Sequence, residues 1–103
     1  MIEVFMKQND TNPSLNATLE QDSIPVDLSD ESVTVKFHMG DVVDAAAVVV
    51  DGVSGIVRYD WKAVDTATAG RFSAEFEVTY ADGSIGTFPN NEYLIVVITK
   101  DLA

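Results

Sequence analysis

Hydrophobic and polar residues alternate along most of this chain, with a period of two. Phe72, Ala74, Phe76, Val78 and Tyr80 share one side of a run whose other side is Ser73, Glu75, Glu77 and Thr79. Successive side chains of an extended strand point to opposite faces, so this run reads as a long strand with one buried face. Val33, Val35, Phe37 and Met39 form a second row, opposite Thr34, Lys36 and His38. A third comprises Val57, Tyr59 and Trp61, opposite Arg58, Asp60 and Lys62. Shorter alternations at Ile2–Met6, Leu15–Leu19 and Ile85–Phe88 add further strands, and no helical period is present. Gly40-Asp41, Asp51-Gly52, Asp82-Gly83 and Pro89-Asn90-Asn91 punctuate the runs. Asp-Gly suits a tight hairpin because glycine reaches positive φ without a steric penalty. Pro25 has no amide hydrogen to donate and so belongs at an edge or in a connection. This patterning predicts an all-β chain: a single immunoglobulin-like β-sandwich over residues 1–103, with about seven antiparallel strands and no disulfide.

Two stretches do not alternate. Ala45–Val50 and Leu94–Ile98 are apolar on both faces. In a two-layer domain one face of each enters the core, and the other is either covered by loops of the same chain or left as an exposed apolar patch. The second alternative marks Val48, Val50, Leu94, Val96 and Ile98 as expected interface residues. Acidic loops would then face basic neighbours.

Composition narrows the function. The 103 residues contain no cysteine, which excludes thiolate metal sites and cysteine nucleophiles. Six Lys and Arg against seventeen Asp and Glu give a net charge of −11. No basic stripe is available to neutralise phosphates, so neither nucleic acid nor an anionic membrane surface is an expected partner. Such acidity serves solubility, or adapts a chain to a salt-rich host. The N-terminal MIEVFMKQND has an acid at Glu3 and no apolar core of the length a secretory signal needs, so the mature chain is expected to begin at or near Met1.

The candidate chemistry is sparse. His38, the sole histidine, falls on the polar face of its strand, and one histidine without cysteine builds no ordinary zinc site. Asp27, Asp30 and Glu31 crowd one loop and Asp41 and Asp44 another, but without the spacing of a calcium loop. Glu75 and Glu77 share an outward strand face, which offers no cleft for a sugar ring. Tyr59, Trp61, Phe76, Tyr80, Phe88 and Tyr93 could in principle form a carbohydrate platform, yet most of them fall on inward positions. Tyr93 is the least core-like. No catalytic residue, metal or cofactor is expected.

The stretch Asp65–Pro89 has a further rhythm. Asp65, Ala69-Gly70, Phe72 and Ala74 occupy the places of the Asp, Gly, Tyr and Cys that mark the corner before strand F of immunoglobulin domains. Phe72 lacks the hydroxyl, and Ala74 stands where the cysteine would be. With Asn9-Asp10, Pro25-Val26-Asp27-Leu28, Val35–Met39, Gly55-x-Val57-x-Tyr59-x-Trp61, Phe72-x-Ala74-Glu75-Phe76-Glu77-Val78-Thr79, Asp82-Gly83 and Thr87-Phe88-Pro89, the chain resembles the immunoglobulin-like N-terminal domain of the baseplate upper protein family of tailed phages. The resemblance implies a structural virion protein, assembled in the host cytoplasm in multiple copies of a symmetric particle. Such a protein docks to other virion proteins and catalyses nothing. Its expected place is the tail or baseplate, with capsid decoration or the neck as alternatives. A carbohydrate-binding module for host attachment is the rival of a different class.

Overall fold

The computed structural model describes residues 2–90 and 93–102. Asn91 of the expected Pro89-Asn90-Asn91 break lies outside them. Among the described residues there are eleven strands and one short 3-10 turn, Ala63–Thr66. The strands are β1 (Ile2–Lys7), β2 (Leu15–Thr18), β3 (Glu20–Gln21), β4 (Ile24–Pro25), β5 (Thr34–Met39), β6 (Val43–Ala46), β7 (Val48–Asp51), β8 (Ile56–Tyr59), β9 (Gly70–Thr79), β10 (Ile85–Phe88) and β11 (Leu94–Thr99). The larger sheet runs β1-β11-β9-β5-β6, with β10 also paired to β9; the smaller runs β2-β8-β7, and β3-β4 form a two-stranded ribbon that holds Pro25.

The all-β expectation holds, with two differences of detail. The strand count is larger, in part because β3 and β4 form a short ribbon of their own and in part because the two-sided apolar stretch Ala45–Val50 divides: β6 pairs with β5 in one sheet and β7 with β8 in the other, with Ala47 between them. β1 and β11 run parallel, whereas every other pairing is antiparallel. A parallel pair needs no hairpin between its strands, so nothing local in the sequence signals it.

The long alternating run sets the core. Register places Phe88 of β10 and Phe37 of β5 on either side of Phe76 of β9, so three rings line one row of the larger sheet's inner face. From there Phe37 stacks on Tyr59 of the smaller sheet at 4.6 Å between ring centroids, and meets Trp61 edge-on at 5.6 Å. The two sheets therefore meet face to face through an aromatic cluster, with Val35, Met39, Val57, Val78, Val96 and Ile98 buried around it. Asp82-Gly83 turns as expected: Gly83 has φ +87°, and the Tyr80 N–H donates to the Ser84 carbonyl across the turn.

Candidate interaction surface

Side-chain parity decides which apolar residues are available to a partner. In β7, Val48 and Val50 are exposed, at 43% and 51%, while Val49 turns inward. Val48 registers with Arg58 of β8, and Arg58 with Asn16 of β2. The outer face of the smaller sheet thus carries two exposed valines beside a guanidinium. Arg58 is held by Asp60, Nε to Oδ1 at 2.8 Å, and Asp60 also accepts the Ser14 hydroxyl at 2.7 Å. The Ser14 hydroxyl first, then Arg58, keeps the Asp60 carboxyl below its ordinary range.

The β11 half of the expected patch requires correction. Leu94, Val96 and Ile98 are core residues, between 0% and 6% exposed. Their parity is fixed by β9: Leu94 lies opposite buried Ala74 and Val96 opposite half-buried Phe72, so all three point into the molecule. The outer face of β11 presents Ile95 and Val97, both half-buried. Val97 lies between Phe5 of β1 and Arg71 of β9, and Ile95 between Glu3 and Ser73. The Arg71–Glu3 ion pair, 2.9 Å, crosses this strip diagonally. Phe5, 67% exposed, is an apolar residue of this face that alternation alone placed outside the core without marking it for function.

Further along the same face lie the polar candidates. His38 registers with Glu75 and Asp44, and Lys36 with Glu77 and Ala46. His38 Nε2 is 3.2 Å from Asp44 Oδ1 but off line for a hydrogen bond, and Lys36 Nζ is 3.5 Å from the same oxygen. This is cross-strand charge pairing on a sheet surface. The loop acids are occupied locally. Asp27, Asp30 and Asp82 each accept the backbone N–H of the serine two residues on, at 2.9 Å. The serine hydroxyl leads the lowering of the Asp27 and Asp82 carboxyls and the backbone amide that of Asp30. Among the described residues no group of three His, Asp or Glu side chains is placed to hold a metal.

The aromatic set separates as its period predicts. Tyr59, Trp61, Phe76 and Phe88 are in the core and Tyr80 is half-buried, which leaves Tyr93 exposed beside His38 and Glu75. The platform does not assemble.

One constellation was only half anticipated. Asp65 is buried and accepts both the Tyr59 hydroxyl, at 2.6 Å, and the Lys62 N–H, at 2.9 Å. Burial pushes the Tyr59 phenol well above its ordinary value, and the hydrogen bond to Asp65 and then its charge push it further. Next to it, buried Thr66 donates its hydroxyl to the Asp10 carbonyl at 2.9 Å, tying the segment after β1 to this corner.

With that geometry in place, comparison with known families settles the kinship: the BppU N-terminal domain matches residues 2–97. The chain belongs to the baseplate upper protein N-terminal domain family. No curated protein matches it. Membership makes it a baseplate-associated structural domain of phage, carried in the virion. The segments on which the resemblance rested, from Asn9-Asp10 to Thr87-Phe88-Pro89, all lie inside the matched range. In the fold they are strands of the core, the turns that join them and the Tyr59–Asp65 corner.

Proposed function

We propose that this chain is one immunoglobulin-like domain that acts by docking to neighbouring proteins of the tail or baseplate, in multiple copies, and performs no reaction. The family match over residues 2–97 carries the reading. Two features of the surface support it. The exposed valines 48 and 50 form an apolar spot on a sheet face, where a partner side chain can be desolvated. Around it the chain carries a net charge of −11, which favours basic or neutral neighbours and disfavours polyanions. Asp27, Asp30 and Asp82 are engaged in tight turns, and His38 lies against Asp44 on the outer face of the larger sheet.

The test is incorporation. Val48→Asp combined with Val50→Asp should leave the isolated domain folded, since both side chains are exposed. The same change should cut the amount of the chain recovered in purified particles at least severalfold. Full incorporation of the double variant would show that this face is not the docking surface. A folded wild-type chain that binds glycans on an array, with binding lost in Tyr93→Ala, would transfer the function to host attachment.

A further inference from the structure

The open edge of β1 is built to pair with itself. β1 ends the larger sheet, with β11 on one side and, among the described residues, no strand on the other. The Gln8 N–H donates to the Thr99 carbonyl at 2.9 Å, and the Thr99 hydroxyl reaches the Met6 carbonyl. In a parallel ladder, alternate residues turn their backbone groups to the partner. The even-numbered residues of β1 therefore face β11, and Glu3, Phe5 and Lys7 present their N–H and C=O groups to the open edge. The same three residues carry outward, exposed side chains. A turn in which the Asp10 N–H bonds the Lys7 carbonyl, 3.2 Å, ends the edge there and leaves that oxygen a second lone pair.

We infer that two copies of this chain join through antiparallel pairing of β1 with β1 about a two-fold axis at Phe5. The operator sets Phe5 opposite Phe5 and Glu3 opposite Lys7 twice, and it aligns all three free backbone positions as hydrogen-bonded pairs. Half-buried Val4 falls opposite buried Met6 on the inner side, so the two cores adjoin as the two sheets become one. Charge supports a second copy as the occupant. On a chain of −11, Lys7 is one of only six basic residues and stands on the edge strand itself, and Arg71, two strands in on β9, ion-pairs with Glu3 of that strand. It is thus a place where two such acidic molecules approach with little repulsion. Lys7 makes no ion pair among the described residues, so it is free to meet Glu3 of the second copy. Phe5, two-thirds exposed in the single chain, is covered by the pairing. Self-complementary patches of this kind give closed dimers, the commonest symmetric assembly.

The absence of cysteine makes the test clean. Hydrogen-bonded antiparallel pairs hold their Cα atoms about 5.5 Å apart, within reach of a disulfide. Under mild oxidation Phe5→Cys should give a covalent dimer, and Val50→Cys, on the other sheet, should not. In sedimentation experiments the wild type should self-associate. Glu3→Lys or Lys7→Glu alone should weaken association roughly tenfold, because each creates two like-charge pairs. The Glu3→Lys/Lys7→Glu double swap, carried with Arg71→Glu so that residue 3 keeps its ion-pair partner within the chain, should restore it, with circular dichroism confirming the fold of every variant. A wild type that stays monomeric at millimolar concentration overturns the inference. So does a dimer that Val50→Cys traps and Phe5→Cys does not, or one that the double swap fails to rescue.

Discussion

The Tyr59–Asp65 pair shows how a single buried contact can carry both stability and pH dependence. Asp65 is buried and holds two donors, so removing one leaves its carboxylate under-bonded. Tyr59→Phe should cost about 1–3 kcal/mol in urea unfolding at neutral pH. The pH dependence follows from the direction of the phenol's shift. Because the folded-state pKa is raised, the unfolded chain ionises first. Stability from this group is full below about pH 10 and lost as pH rises beyond it. Urea midpoints measured from pH 7 to 11 should fall more steeply for the wild type than for Tyr59→Phe; equal slopes would deny the pair this role. The sequence revealed half of this contact. Asp65 stood out as the first residue of an immunoglobulin-type corner, in which Phe72 takes the tyrosine's place without its hydroxyl. The hydroxyl comes instead from Tyr59, six residues before Asp65, and only the three-dimensional path of the chain through the Ala63–Thr66 turn brings the two together.

At the scale of strands, alternation identified the elements but left phase and partner open where both faces are apolar. β5 and β9 were legible because each has one polar face, which fixes parity without further information. β11 has none. Its inward residues are chosen by register with β9, and that register was not visible in Leu94–Ile98. The choice is testable by moving one charge by one position. Val96→Asp places a carboxylate at a fully buried site and should abolish cooperative unfolding, because an unpaired buried charge costs roughly the whole stability of a small domain. Val97→Asp, on the outer face opposite Arg71, should stay within about 1 kcal/mol of the wild type. If the two variants melt alike, the assigned phase of β11 is wrong. The entry to β8 depends on a glycine in a comparable way. Gly55 has φ +69°, and a Cβ there would lie 2.8 Å from the backbone oxygens of Leu19 and Val26. Neither oxygen sits on a flexible side chain, so Gly55→Ala should destabilise by more than about 1 kcal/mol, read from thermal or urea midpoints.

For the molecule as a whole, the sequence was clearest about class and kinship. Strand periodicity and turn chemistry indicated the all-β fold, and the ordered motifs from Asn9 to Pro89 indicated the family. Surface function was harder to read, since an interface is selected by a partner and leaves only indirect marks on one chain. The exposed valines of β7 form an apolar spot, the proposed docking face towards neighbouring virion proteins. The open edge of β1, with charges of both signs around Phe5, is the proposed seam for a second copy. They lie on different sheets, so one copy could be joined to its twin and docked to the particle at once. On the proposed reading this domain is a fitted part of the phage baseplate, held there by contacts of its sheet surface. A cryo-electron microscopy reconstruction of the assembled particle tests it most directly. Density for this fold is expected within the baseplate, with Val48 and Val50 buried against a neighbouring protein. Particles that lack the chain, or hold it with that face open to solvent, would contradict it.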